Sequence, residues 1–350
     1  MVSLAPPTLK DHARTNQPQP VRLREAGRPS YAPPPMPASP RLGFAVRVVG
    51  QPSLRSHAPR AAAQHQLGLG LLMLRDILHY LQHQQISYYR LDPALLPLHD
   101  LALAWSQLAA QQATLAVLAA QIAQQQVRLT LHAGPHVVLG TADPALARAS
   151  QAELTLLAAL LEALHPDPSG CIVVHVGGSS GPAARRASLE QFATHYTQLP
   201  AAVRRRVVVE HDHAGFDLAD LLWLHQQCGV AIVFDYLHWL LHDQHALPLA
   251  LALGLAAATW ARGVRPEVHL STARTEAHLL PPQGKQPARV LAPRHGQHAD
   301  FVSPHDLLAV LHAGRSLPPF DLLLEAKAGD LAVLRLRQTL ARYQAAAGSG

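Results

Sequence analysis

The amino-acid sequence predicts an α/β fold, a (β/α)8 TIM barrel with a disordered, proline-rich N-terminal arm. Three observations lead to this prediction. The chain has 350 residues, of which 49% are hydrophobic, so it can form one large barrel with a tail. It contains eight short apolar runs that are separated by stretches with helical spacing. Within each run the apolar residues are consecutive, as expected for parallel strands that are buried on both faces.

The eight predicted strands alternate with helical segments along the chain. The strands are RLGFAVRVV (41–49), SYYRLD (87–92), VRLTLHAG (127–134), CIVVHVGG (171–178), RVVVEHD (206–212), VAIVFDYLH (230–238), PEVHLS (266–271) and DLLLEAK (321–327). The helical segments are 64–83, 101–125, 150–165, 188–198, 218–228 and 304–313. A doubly wound open sheet is the alternative, but it would carry fewer strands and a glycine-rich first turn, which this sequence lacks.

Residues 1–40 form the predicted arm. They hold ten of the 29 prolines, with five basic and two acidic residues and little apolar material to bury. We expect the barrel domain over 41–345 and a disordered tail at 346–350. The arm either attracts a polyanion weakly or is an inert tail.

The chain is basic and rich in histidine. It has 29 Lys and Arg against 23 Asp and Glu, a net charge of +6, and 23 His. This charge permits an anionic partner, and histidine is the commonest metal ligand. The two cysteines, Cys171 and Cys228, are too few for a disulfide scaffold or a zinc finger with thiolate ligands. No secretory signal is visible, and the longest apolar tract (247–261) is short for a membrane span. We therefore expect a cytoplasmic monomer without a membrane partner.

Histidine or carboxylate side chains stand near the ends of six of the eight runs. They are His132, His175, Glu210, Asp235, His269 and Glu325. In a barrel these strand ends converge on one face, and several buried carboxylates are costly there unless cations neutralise them. Histidine with carboxylate suits Mn²⁺, Zn²⁺ or Fe²⁺ better than Ca²⁺. His238 and His298 provide enough ligands for two or three metals, as used in phosphodiester cleavage or in sugar isomerisation.

The order of these motifs resembles that of the ultraviolet-damage endonucleases. The resemblance is carried by RLGF (41–44), YYRLDPALLP (88–97), HVGG (175–178), VVVEHD (207–212), VFDYLH (233–238), EVHLST (267–272), HADF (298–301) and LLLEAKAGD (322–330). It extends from about residue 41 to residue 345. It implies the same barrel, a cluster of three metal ions that are usually Mn²⁺, and damaged double-stranded DNA as the substrate. The family cuts the DNA backbone on the 5′ side of a photoproduct.

The resemblance also implies a role for individual residues of this chain. The first metal would be held by His132, His175, Glu210 and Glu325. The second would be held by Glu210, Asp235, His269 and Glu325, so the two glutamates bridge. His238 and His298 would serve the third. His99 matches, by spacing, a histidine close to the scissile phosphate, so the catalytic residues would be Glu210, Glu325 and His99. The residues assigned to substrate binding are His136, Phe44, Arg90 and Lys327.

Several positions depart from the family pattern where the lesion is read. The third-strand motif of the family, His-Pro-Gly-Gln followed by an aromatic residue, is here His132-Ala133-Gly134-Pro135-His136. Phe44 replaces a tyrosine, Val48 an asparagine, and His211 the asparagine after Glu210. We therefore expect weaker discrimination between damaged and undamaged DNA, with His136 partly replacing the lost stacking group.

Glu267 replaces a lysine that can be carboxylated in the family. Because both groups carry a carboxylate charge, we predict that Glu267 binds the metal cluster directly or through a water. Alternatively, it points away from the barrel mouth or pairs with a neighbour such as Arg265.

Taken together, these features predict a metal-dependent DNA repair endonuclease. It would nick the backbone 5′ to ultraviolet photoproducts or related lesions by metal-activated hydrolysis. The alternatives are an abasic-site endonuclease or a sugar isomerase on the same scaffold, and a non-catalytic DNA-binding relative.

Overall fold

The computed structural model describes residues 40–56, 66–179, 181, 183–243, 245–284, 286–294 and 296–348. The predicted arm (1–40) lies outside these ranges apart from Pro40. At the other end, the last helix continues to Gly348, three residues into the predicted tail, and residues 349–350 lie outside the described part.

Eight parallel strands close into a barrel, which confirms the predicted fold. The strands of the chain are β1 (Leu42–Ala45), β2 (Tyr88–Leu91), β3 (Arg128–His132), β4 (Ile172–His175), β5 (Val207–Glu210), β6 (Ala231–Asp235), β7 (Glu267–Leu270), β8 (His278–Leu280), β9 (Arg289–Leu291) and β10 (Asp321–Leu324). The order around the barrel is β1-β10-β7-β6-β5-β4-β3-β2, and each barrel strand lies within one of the eight predicted runs.

Helices cover the outside of the barrel. They are α1 (Leu67–His83), α2 (Leu101–Ala110), α3 (Gln112–Gln124), α4 (Pro144–Leu164), α5 (Arg185–Gln198), α6 (Ala201–Arg204), α7 (Leu218–Cys228), α8 (Tyr236–Leu241), α9 (Leu249–Ala258), α10 (Pro304–Ala313) and α11 (Asp330–Gly348). The predicted helix at 101–125 is broken at Gln111. The helix predicted from residue 150 begins earlier, at Pro144, because the Asp143 side chain accepts a hydrogen bond from the Ala145 backbone and caps it.

The structure adds an element that the apolar pattern did not reveal. β8 and β9 form an antiparallel hairpin within the long connection between β7 and α10. Within the described ranges, no helix combines the length and apolarity needed to cross a membrane. The apolar tract 247–261 forms α9, whose Ala252, Leu253 and Ala256 are buried.

The barrel interior has a small apolar core of its own, separate from the larger core beneath the helices. It consists of Cys171, Val173, Val208 and Val233. Side chains two residues apart on a strand share a face, so the inward face of β4 continues from Val173 to His175. In the same way, β5 continues from Val208 to Glu210. The apolar core therefore positions a ring of polar side chains at the carboxyl ends of the strands.

Candidate metal centre

Glu210 lies at the centre of a cluster formed by the strand ends. Parallel pairing places His175 beside Glu210 and Asp235 beside His269. Glu210 is almost completely buried, and its Oε2 lies 3.2 Å from His132 Nε2 and 3.7 Å from His175 Nε2. These three side chains form a group whose ligand atoms all lie within 4.8 Å of one another.

A second group shares Glu210 with the first. Glu210 Oε1 lies 3.0 Å from His269 Nδ1. The same nitrogen lies 3.5 Å from Glu325 Oε1 and 4.0 Å from Asp235 Oδ2. The ligand atoms of these four side chains also lie within 4.8 Å of one another. The structure thus brings six predicted ligands into two groups with a shared carboxylate.

The chemistry of this cluster fits divalent cations. Glu210 Oε1, Asp235 Oδ2 and His269 Nδ1 are buried, and no described group offers them a hydrogen bond of acceptable geometry. Buried polar atoms without partners are costly, and a metal ion would satisfy all three at once. One group has two histidines and a glutamate, and the other has three carboxylates and a histidine; donor sets of this kind, sharing Glu210, suit Mn²⁺, Zn²⁺ or Fe²⁺.

The protonation states of the cluster also fit the binding of divalent cations. Burial disfavours the imidazolium form, yet nearby carboxylates raise the pKa of His238 and of His269 to about 10. Burial favours the neutral form of Glu210, yet His269 and His175 hold its pKa well below the usual range. Burial raises the pKa of Asp235. Without metal, protons on histidine balance the carboxylates, and a dication can replace these protons.

Contacts with neighbouring oxygen atoms indicate which ring nitrogen of His132 and of His175 faces the cluster. His132 Nδ1 lies 2.9 Å from the carbonyl oxygen of Ala133, and His175 Nδ1 lies 2.5 Å from Asp212 Oδ1. If both Nδ1 atoms carry the proton and donate it to these oxygens, Nε2 of each ring is left as a ligand toward Glu210. Acceptors of this kind set the tautomer of metal-binding histidines in proteins.

His238 and His298 lie at the edge of the two groups. His238 Nδ1 lies 2.8 Å from the His211 carbonyl oxygen and 3.2 Å from Glu210 Oε1. His298 Nδ1 lies 3.9 Å from Glu325 Oε2. His238 thus contacts Glu210, and His298 lies near Glu325, both from outside the two groups; Glu325 belongs to the second group only, whereas we predicted it in both.

Glu267 lies one layer below the ligand groups, although we predicted it as a metal ligand. It is fully buried and lies 2.9 Å from His269 Nε2, the ring nitrogen opposite the one that faces Glu210. Arg90 donates to it at 3.0 Å, and the Cys171 thiol donates to its other oxygen at 3.0 Å. These contacts hold the carboxylate on the side of His269 that faces away from the ligand groups. The alternative pairing with Arg265 is not formed, because Arg265 lies 3.2 Å from Asp321 instead.

Two residues assigned to substrate binding are buried. Phe44 belongs to the hydrophobic core and packs against Tyr89, with ring centroids 5.2 Å apart, so it has no surface for DNA. Arg90 is 4% exposed and binds Glu325 and His269 in addition to Glu267. It therefore contacts the cluster rather than solvent, because its long side chain extends inside the barrel.

The remaining predicted residues lie on the surface. Lys327 and His99 are exposed, the former directly after β10 and the latter in the turn before α2. His136 is exposed, and its Nε2 lies 2.8 Å from Glu153 Oε2.

Two supporting residues were not predicted. Asp212, which contacts His175, stands two positions after Glu210, and this period-2 spacing along the same run could have indicated it. His211 is buried, and its Nε2 accepts a hydrogen bond from the Asp235 backbone at 3.0 Å. Burial, together with His238, lowers the pKa of His211 to about 3, so it is neutral. No pattern in the sequence indicated that it would point inward.

Comparisons with known proteins identify the family and agree with the fold of this chain. The model of the family described as UV-endonuclease UvdE matches residues 55–348. A UV DNA damage endonuclease from Halalkalibacterium halodurans is 28% identical over 280 residues, covering 77% of this chain and 80% of the relative. One from Bacillus pumilus is 25% identical over 274 residues, covering 76% and 78%. The crystal structure of SacUVDE is similar in fold, with a TM-score of 0.72, 22% identity, and coverage of 87% of this chain and 99% of that one.

Proposed function

Because the chain belongs to the UV-endonuclease UvdE family, we propose that it is a metal-dependent DNA repair endonuclease. Its substrate would be damaged double-stranded DNA, nicked on the 5′ side of ultraviolet photoproducts or related lesions. The observation that supports this most directly is the pair of ligand groups that share Glu210 and contain buried atoms without hydrogen-bond partners.

The proposed cofactor is a cluster of divalent ions, three Mn²⁺ by resemblance, with Zn²⁺ or Fe²⁺ as substitutes. His132, His175, Glu210 and Glu325 would hold the first ion. Glu210, Asp235, His269 and Glu325 would hold the second, and His238 with His298 would hold the third. When bound, such ions activate water and neutralise charge on the phosphate and the leaving oxygen.

The protein side chains have separate tasks in this proposal. Glu210 and Glu325 bridge and carry the negative charge that retains the ions. Asp212 and the Ala133 carbonyl hold the rings of His175 and His132 in the orientation that presents Nε2. Lys327 and His99, both exposed, would contact the DNA backbone.

Glu267 takes a different role from the one first predicted. If the single proton of neutral His269 is on Nε2, that nitrogen donates a hydrogen bond to Glu267, 2.9 Å away, and the unprotonated Nδ1 faces Glu210. Glu267 would thus orient a ligand from behind, as carboxylates do in carboxylate–histidine–metal triads. As a permanent carboxylate, it would act without bicarbonate.

A nicking assay tests the proposed function. The purified chain is incubated with irradiated, abasic and undamaged duplexes, with Mn²⁺ and with a chelator. We expect nicks 5′ to photoproducts that depend on Mn²⁺ and disappear with the chelator. Nicking of the abasic duplex alone would favour the abasic-site alternative. Nicking that persists with the chelator, or no nicking of any duplex by the metal-loaded chain, would contradict the proposal.

A further inference from the structure

The β8–β9 hairpin displays an uncovered apolar pair. Leu279 and Val290 are directly opposite each other in the antiparallel register, so their side chains share one face. They are 69% and 70% exposed, whereas most large apolar side chains of the barrel domain are buried. A two-stranded hairpin gains little stability by itself. An apolar pair with about two thirds of its surface exposed therefore indicates a face that a partner covers.

The hairpin begins at the candidate metal centre. The Arg274 backbone donates to the Gln297 carbonyl at 2.8 Å, and Ala273 bridges to His298 in antiparallel fashion. His298 in turn reaches Glu325. The stem therefore rises from the carboxyl-end face of the barrel, where the loops after the strands form the active site in this fold. A duplex bound across the ligand groups would therefore approach the base of this loop.

The charge of the segment indicates what kind of partner covers it. Residues 272–297 contain four basic residues and one acidic residue, Glu276. Arg289 and Arg294, on and just after β9, are exposed. Because the whole chain has a net charge of +6, this segment favours a polyanion over a second copy of the chain.

The tip of the loop after β3 carries only one small exposed apolar side chain, that of Pro135. Beside it is His136, whose ring is held by Glu153. Reading a damaged base step requires a side chain that fills the space of displaced bases or stabilises a kink. The hairpin supplies such side chains on a stem whose base lies at His298, near Glu325.

We propose that Leu279 and Val290 form an apolar wedge that packs against a base step of the bound duplex. Arg289 and Arg294 would contact the phosphates on either side and thereby hold the hairpin in place. Leucine and other apolar side chains act as wedges in many proteins that kink DNA from the minor groove. This inference rests on the proposed function, since it takes damaged duplex DNA as the ligand.

The test uses the full-length chain with a Leu279→Ser/Val290→Ser double variant. The matched control is Val117→Ser/Leu251→Ser, which removes two exposed apolar side chains from helices outside the hairpin. Duplexes carry a photoproduct with 2-aminopurine beside it, and binding is followed by anisotropy and by 2-aminopurine fluorescence. We expect the hairpin variant to bind the damaged duplex at least about tenfold more weakly and to lose the fluorescence rise that reports unstacking. Its bound metal should equal that of the control.

The outcomes separate the wedge from the proposed function. Affinity and fluorescence equal to those of the unmodified chain would overturn the wedge while leaving the nuclease intact. An unmodified chain that binds and unstacks the duplex but never nicks it would overturn the nuclease while supporting the wedge. A hairpin variant that changes only the oligomeric state in sedimentation, with unchanged DNA binding, would assign the apolar face to a second copy and overturn the wedge.

Discussion

Two layers of carboxylates inside the same barrel are neutralised in different ways. The lower layer consists of Glu267 and Asp321, together with the arginines Arg90 and Arg128. Arg128 donates to Asp321 at 3.0 Å, and Arg90 donates to Glu267 at 3.0 Å. The ligand layer consists of the residues of the two metal-binding groups. It includes Glu210 and Asp235, each of which has a buried oxygen without a hydrogen-bond partner among the described residues.

The difference shows which layer is built for an external cation. On β7, a step of only two residues leads from Glu267 in the lower layer to His269 in the ligand layer. Arginines of the chain neutralise the carboxylates of the lower layer. In the ligand layer, Arg90 contacts Glu325 at the edge, and the charge of the other carboxylates must be balanced by protons or metal ions. Carboxylates with fixed partners maintain the structure, and carboxylates without them are available for chemistry.

The largest expected effect is the loss of metal when the ligand layer loses a bridging charge. Glu210→Gln or Glu325→Gln should remove bound metal and lower nicking by about a thousandfold or more, since enzymes typically accelerate reactions at least a millionfold. Metal content is measured by mass spectrometry, and the nicking rate is measured on an irradiated duplex. Glu190→Gln, on the exposed surface of α5, is the control. Stoichiometric metal in both bridging variants would contradict the assignment.

A substitution in the lower layer should instead lower the free energy of unfolding. Arg128→Met removes the fully buried guanidinium group that donates to Asp321 and leaves this carboxylate with the less buried Arg265, so unfolding should become easier by about 3 kcal/mol. In the metal-free chain, Glu210→Gln should cost less stability than Arg128→Met, because the protonated histidines that balance Glu210 can release their protons when its charge is removed. Equilibrium urea unfolding of both variants checks this contrast. Equal losses in the two would show that the layers do not differ.

Glu267 sharpens the comparison, because it belongs to the lower layer and contacts the ligand layer. Glu267→Gln should lower metal affinity or activity by about 10–100-fold, the usual effect of removing a residue that orients a ligand. Metal should still bind stoichiometrically at saturating concentration, and Glu267→Asp should restore part of the affinity. Added bicarbonate should have no effect on the unmodified chain. Loss of a whole metal equivalent in Glu267→Gln would show that Glu267 is itself a ligand.

The number of protons released on metal binding should distinguish the ligand layer from the rest of the protein. The carboxylates there raise the pKa of His238 and of His269 to about 10, so both rings are protonated at pH 7.5 without metal. Metal binding requires neutral rings and should therefore release protons, and affinity should rise with pH up to about 10. In contrast, burial lowers the pKa of His165 to about 4, so that ring is already neutral. Calorimetry in buffers of different ionisation enthalpy counts the protons, and a count of zero would contradict this picture.

The sequence predicted the barrel well because its strands are consecutive apolar runs, a signal that survives without any tertiary information. It also predicted that His175, Glu210 and Asp235 converge, because strand ends must meet on one face. It could not predict which buried carboxylates belong to the lower layer and which to the ligand layer. Whether a buried glutamate faces guanidinium groups or other carboxylates depends on the stagger between strands, which places Arg90 next to Glu325 although they are 235 positions apart. The hairpin was missed because its strands are only three residues long.

The smallest expected effect concerns the surface loop after β3, which belongs to neither layer. His136 stands where the family has an aromatic residue, and Glu153 holds its Nε2 at 2.8 Å. A ring held in this way can stack only weakly, so His136→Ala should reduce the preference for photoproduct over undamaged duplex by roughly fivefold, the lower end of what base stacking contributes. His136→Tyr, combined with Pro135→Gln, should increase that preference. The measurement is the ratio of nicking rates on the two duplexes at equal metal content. If His136→Ala leaves the ratio unchanged while the hairpin variant reduces it, damage is read by the hairpin and not by the loop after β3.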